Sequence, residues 1–225
     1  MRALLLPGMD GSGGLLQPFV EALAPDIVAD VAVYPPQRAL GYDALLELVQ
    51  ARIPRDGPFL LIGESFSGPL AIRIAASSPP GLAGLVLCAS FASSPRPRLA
   101  PLRPLLRLPL PKPPVRWLMP FLMGPWATPE WTRRGRDAMA PLTSAVARLR
   151  LSEVTRIDAR DALAGVRHPL LYLQAGRDRL VPARCWREVQ RVRPDATLVR
   201  LEGPHFLLQH RPEACARAIR AWLPD

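Results

Sequence analysis

Six short, mainly apolar runs recur along the chain, at residues 3–6, 27–34, 59–62, 82–89, 170–174 and 197–201. Several stop at glycine or proline, and stretches with helical spacing separate them. A strand that is apolar throughout needs cover on both sides, and a helix between two strands favours parallel pairing. The pattern therefore predicts an α/β fold, a mainly parallel sheet with helices on both faces. The expected helices fall at 14–23, 42–53, 67–76, 158–164, 183–192 and 212–222. The second of these carries Leu45, Leu46, Leu48, Val49 and Ile53 at helical spacing. No internal repeat is visible.

One stretch breaks the alternation. Prolines cluster between 95 and 125, and residues 91–160 hold 13 basic against 4 acidic side chains, so most of the net charge of +10 belongs to this part. The division expected is a core of 1–90 and 159–225 with an inserted cap or lid at 91–158. Lys112 is the only lysine, an arginine bias attributed first to a GC-rich coding sequence. Interleaved stacking aromatics and a basic recognition helix are both lacking, which argues against nucleic acid as a partner. With 49% hydrophobic and 21% charged residues in 225, a single packed domain fits and disorder does not. Residues 81–94, free of charge and proline, are too few to span a bilayer, so no transmembrane segment is expected. The early Pro7-Gly8 leaves no room for a signal peptide, which makes the cytoplasm the default location. Cys88, Cys185 and Cys215 have no metal-ligand spacing and read as reduced, small hydrophobes.

Three places carry chemistry, each just after an expected strand, where open parallel sheets bind ligands. Gly63-Glu64-Ser65-Phe66-Ser67-Gly68 fits a serine on a sharp strand-to-helix turn, with small residues two positions either side. Ser67 stands where glycine is usual; the plain alternative is a helix N-cap serine. Asp178 sits in Gly176-Arg177-Asp178-Arg179-Leu180-Val181-Pro182, placed to orient an imidazole or simply to cap a turn, and Glu202 and Asp161 are the other acids to consider. Of the three histidines, His205 alone follows a strand end after both, whereas His168 precedes a proline and His210 opens a helix.

The order Ser65, Asp178, His205 is that of the α/β-hydrolases, which the chain resembles over nearly its whole length. Leu6-Pro7-Gly8-Met9-Asp10-Gly11-Ser12-Gly13 resembles the LPGxDGxG variant of that superfamily's oxyanion loop. By position, the resemblance gives the backbone N–H groups of Met9 and Phe66 as oxyanion donors. It implies a compact version lacking the first strands of larger members, and a serine esterase working through an acyl-enzyme without metal or organic cofactor. An acyl thioesterase acting on carrier- or CoA-bound substrates is the first alternative, and a noncatalytic binding module using the basic cap the second. The substrate expected is a small-molecule ester, in one version carrier-bound or lipid-like. Within the cap, the apolar stretch 115–123 is expected to line an acyl pocket through Trp117 and Phe121, or else merely to pack. Its arginines are read first as a solvated face, and otherwise as a surface for an acyl carrier protein, a coenzyme A ester or anionic lipid. Oligomeric state is left open.

Overall fold

The computed structural model describes residues 1–223. Its frame is a six-stranded sheet of order β2-β1-β3-β4-β5-β6, parallel throughout. The strands are β1 (Arg2–Leu6), β2 (Val28–Val31), β3 (Phe59–Glu64), β4 (Leu82–Cys88), β5 (Leu170–Ala175) and β6 (Thr197–Leu201). Around the sheet stand α1 (Gln17–Leu23), α2 (Tyr42–Gln50), α3 (Gly68–Ala76), α7 (Arg160–Gly165), α8 (Arg184–Val192), α9 (Leu207–His210) and α10 (Pro212–Trp222). Between β4 and β5 lie a 3₁₀ helix, Pro97–Arg107, then α4 (Val115–Leu122), α5 (Pro129–Met139) and α6 (Ser144–Arg156).

Side chains alternate across a strand, and two separate cores follow from that. Leu4, Leu6, Phe59, Leu61, Leu85, Leu87, Leu170 and Tyr172 face α2, α3, α7 and α8. Their neighbours Leu5, Leu60, Ile62, Val86, Leu171 and Leu173 face α1, α9 and α10. Continuous apolar runs are thus needed by both faces of the central strands. The three cysteines are buried and free, as small apolar side chains would be.

Local boundaries depart from the sequence pattern for identifiable reasons. Strand β2 is four residues rather than the eight of 27–34, because it pairs only with β1 and then leaves the sheet. Its continuation turns inward: Tyr34 N–H donates to Gly11 O at 2.9 Å, and the Tyr34 ring is buried. Helix α2 ends at Gln50 rather than Ile53, since Ile53 precedes Pro54 and a pre-proline residue disfavours helical dihedrals. Helix α3 begins at Gly68, with Ser65–Ser67 in a tighter 3₁₀ turn.

The segment between β4 and β5 leaves and returns at adjacent points. Ser93 bridges Asp158, Ser94 N–H donates to Ile157 O at 3.1 Å, and Ala159 N–H donates to Ala92 O at 2.8 Å. This antiparallel stem lets β4 and β5 pair directly, Leu85 with Leu170 through Cys88 with Leu173, despite the chain between them. Thr128 and Thr143 cap the starts of α5 and α6 through Trp131 N–H and Val146 N–H. Among the described residues no helix is long and apolar enough to cross a membrane.

Since Leu61 lies fully buried on the central strand β3, Leu61→Ala is expected to lower unfolding free energy by about 2–5 kcal/mol, through lost burial and a residual cavity. Leu198→Ala, at a partly exposed position of the edge strand β6, should cost less than about 1 kcal/mol. Urea denaturation of the two variants checks the ordering.

Candidate active site

The parallel register brings the C-terminal ends of β1, β3, β5 and β6 to one edge, and the chemistry-bearing loops follow those ends. Between β3 and α3 the chain turns so sharply that Ser65 is held at φ 46°. A Cβ at Gly63 would come within 2.7 Å of Ala71 Cβ, and one at Gly68 would overlap Ser90 Oγ. Those two positions therefore accept no larger residue. Ser67, the departure from the usual glycine, is fully buried, and its hydroxyl bonds Tyr34 OH at 2.7 Å and donates to Pro7 O. The extra atom ties the turn to the loop after β1.

Ser65 Oγ lies 2.8 Å from His205 Nε2, and His205 Nδ1 lies 2.8 Å from Asp178 Oδ2. The hydroxyl of Ser65 is thus committed to the imidazole rather than to capping α3. Asp178 serves two ends: Oδ1 accepts the N–H groups of Leu180 and Val181, both at 2.8 Å, while Oδ2 faces His205. Its role in the turn fixes the carboxylate that meets the ring. Burial pushes the His205 pKa down, but the adjacent Asp178 charge and hydrogen bond outweigh it, and the net shift is upward. The other candidates lie elsewhere. His168 and His210 are half-buried and make no hydrogen bond to Ser65; the His210 ring lies 5.2 Å from that of Trp126, tilted by 48°. Glu202 pairs with Arg177, and Asp161 is exposed in the first turn of α7.

The backbone N–H groups of Met9 and Phe66 have no hydrogen-bond acceptor among the described residues. For Phe66 this follows from its place in the first turn of a helix, where no intrahelical acceptor exists. Both are held from behind. Tyr42 OH donates to Phe66 O at 2.8 Å and its ring stacks on Phe66 at 4.8 Å. Arg150, from α6, is fully buried and donates from Nη1 to Met9 O at 2.8 Å and Asp10 O at 3.1 Å, and from Nη2 to Pro35 O at 3.4 Å. No carboxylate pairs with it among the described residues; its charge rests on carbonyls and the face of Tyr34, 5.5 Å away. Gly11, at φ 71°, leaves the space, since a Cβ there would come within 2.6 Å of Arg150 Nη1. Glu64 accepts Gly8 N–H at 3.1 Å and Gln209 Nε2–H at 2.6 Å.

Arg150, Glu64, Tyr34, Tyr42 and Gln209 were not singled out by sequence. Glu64 alone had a usable signal, a carboxylate at the end of an apolar run. Trp117 and Phe121 do not join the site: they are 60% and 53% exposed on the outer face of α4, while Met119 and Met123 are buried. Helical periodicity decides this, because 119, 122 and 123 share the inward side of the stretch. The end of α4 does touch the site's loops, through His205 N–H to Leu122 O at 3.0 Å and Arg179 Nη1 to Pro120 O at 3.1 Å. A groove of about 410 Å³ lined by Arg116, Met119, Thr132, Arg133 and Arg136 lies on this segment and includes none of Ser65, Asp178 or His205.

Burial raises the Glu64 pKa from 4.5 to about 7, with Gln209, His205 and Gly8 opposing and Asp10 adding to the rise. Between pH 4.5 and 7 the unfolded chain then binds fewer protons at this position than the folded one, so the Glu64 contribution to stability falls as pH rises, by roughly 3 kcal/mol in all. Glu64→Gln should match wild type near pH 4.5 and gain on it up to pH 8. Thermal melts across that range check this; an advantage independent of pH would contradict it.

A model of the alpha/beta hydrolase family matches residues 3–218. No curated protein matches the sequence. Among solved structures, an esterase from Thermogutta terrifontis shares 22% identity at a TM-score of 0.79, covering 99% of this chain and 89% of that one. The enol-lactonase from Burkholderia xenovorans shares 16% at 0.79, covering 100% and 91%, and an esterase from Exiguobacterium antarcticum 12% at 0.81, covering 99% and 91%. At these identities the likeness is one of fold. The chain spans nearly the full length of these structures and carries a match to the family over 3–218, with one parallel sheet and helices on both faces: it belongs to the alpha/beta hydrolase family and is a hydrolase by that membership.

Proposed function

We propose that the protein is a serine hydrolase that cleaves carboxylic esters. The observation that carries this reading is the unbroken hydrogen-bonded chain from Ser65 Oγ through His205 to Asp178. A serine hydroxyl is a poor nucleophile until a base takes its proton. His205 Nε2 accepts that proton as Oγ attacks the substrate carbonyl, and Asp178 stabilises the imidazolium and holds the ring's tautomer. The carbonyl oxygen becomes an oxyanion facing the Met9 and Phe66 N–H groups. Such donors, fixed before reaction, contribute about 2.7–4 kcal/mol each in comparable sites. The proton on His205 then passes to the departing alkoxide, leaving Ser65 acylated. Water, deprotonated by His205, releases the acid. Every step uses side chains and backbone of this chain, so the chemistry calls for no cofactor.

The segment between β4 and β5 is read here as a cap over the site, supported by the contacts of α4 with the loops carrying His205 and Asp178. The two esterases and the lactonase among the similar folds lend support to an ester bond as the one cleaved. Three buried free cysteines suit a reducing compartment, and the cytoplasm is proposed as the place of action.

Purified Ser65→Ala should lose turnover of p-nitrophenyl esters entirely, and His205→Ala nearly so, while His168→Ala and His210→Ala stay close to wild type. Asp178→Asn should lose on the order of 10⁴ in kcat, since the amide favours the wrong imidazole tautomer. Turnover by Ser65→Ala would remove the proposal, and faster cleavage of acyl thioesters than of matched oxygen esters would redirect it to a thioesterase. Arg150→Met frees the Met9 carbonyl without touching substrate, and is expected to lower kcat by about 10–100-fold with KM little changed. A selective rise in KM would show that Arg150 serves binding instead.

A further inference from the structure

We infer that the outer face of the segment between β4 and β5 seats the protein on an anionic lipid surface. The 3₁₀ helix Pro97–Arg107 runs for 11 residues, and such a helix has three residues per turn, so side chains at i and i+3 eclipse. Leu99, Leu102 and Leu105, continued by Leu108, therefore form a single row, exposed by 49%, 53%, 50% and 49%. Arg98, Pro101, Pro104 and Arg107 form the next row, also exposed. The third row, Ala100, Arg103 and Leu106, is half-buried on the side that packs against α6. On α4 the exposed pair Trp117 and Phe121 is spaced four apart, one helical turn, with the Arg116 guanidinium 5.8 Å from the Trp117 ring centre.

Single exposed leucines are ordinary, but ordered rows are not. Of the twelve large apolar side chains exposed among the described residues, seven fall between 99 and 121. Residues 91–129 carry six cations and no carboxylate. Leucines and a tryptophan enter the acyl boundary, while arginines beside them bind headgroup phosphates bidentately. A second copy of this chain would bring the same positive charge to the contact, and nucleic acid would leave the leucine row in water. Since Leu122 O accepts His205 N–H, α4 holds the site next to the bound surface. The inference stands on exposure and charge and does not require ester cleavage.

Flotation with phosphatidylcholine vesicles, alone or with about 30% phosphatidylglycerol, measures it directly. Wild type and Ser65→Ala should both bind the anionic vesicles at least about tenfold more tightly than the neutral ones, and less tightly as NaCl rises from ~0.1 M to ~1 M. Leu102→Glu/Leu105→Glu and Arg98→Glu/Arg107→Glu should each lose at least about tenfold in binding, with the thermal midpoint unchanged, because all four positions are exposed. Four results would overturn the inference: no binding to anionic vesicles, equal binding to both compositions, full binding by folded Leu102→Glu/Leu105→Glu, or a wild-type dimer in sedimentation that this variant abolishes while vesicles stay bare.

Discussion

Parallel pairing of β3 between β1 and β4 is the constraint on which the site depends. Leu6 registers with Gly63, and Glu64 with Cys88, so the loop after β1 and the turn after β3 start at the same height. The register continues from Cys88 to Leu173 and from Ala175 to Leu201, bringing the Asp178 and His205 loops to that edge. These strand pairings bring Ser65 to His205, 140 residues away. The hydrophobic burial that fixes the sheet also fixes the spacing of Ser65, Asp178 and His205, and a packed interior tolerates little shift. Rigidity of this kind suits a reaction whose stabilising dipoles must be in place beforehand.

Beneath the site, a buried carboxyl and a buried guanidinium hold the backbone of the loop after β1. Glu64 takes the N–H of Gly8, and Arg150 takes the carbonyls of Met9 and Asp10. Neither has an ion-pair partner among the described residues; burial raises the Glu64 pKa to about 7, while the Arg150 charge rests on carbonyls. Polar groups that reduce stability yet orient a functional loop are the exceptions to apolar cores expected at such sites. Arg150 comes from α6, so the segment between β4 and β5 does more than cover the core: it completes the loop's support. The Met9 and Asp10 carbonyls are thereby tied to the docking of that segment through one guanidinium.

Much of this was legible in the sequence because the central strands are apolar on both faces and leave no other reading for runs such as 59–62 and 170–174. Strand β2 was overextended because Ala32 and Tyr34 look like strand residues, whereas Tyr34 folds inward under the elbow to meet Ser67. Chain order and strand ends were enough to single out Ser65, Asp178 and His205, the three side chains that the fold brings within hydrogen-bond distance. Arg150 was not, since nothing in the α6 sequence separates it from the other arginines there until burial is known. The apolar character of Trp117 and Phe121 suits an acyl pocket or plain packing equally and says nothing of the direction a side chain takes; α4 turns both outward.

The central claim is that Ser65 is a nucleophile activated by His205. Mass mapping of the intact protein after a fluorophosphonate tests it most directly, because the probe reports the activated hydroxyl without any assumption about substrate. One adduct per chain is expected, on Ser65, forming faster as pH rises through the upshifted His205 pKa and absent in His205→Ala. An adduct on another serine, or labelling of Ser65 that persists in His205→Ala at the wild-type rate, would contradict it.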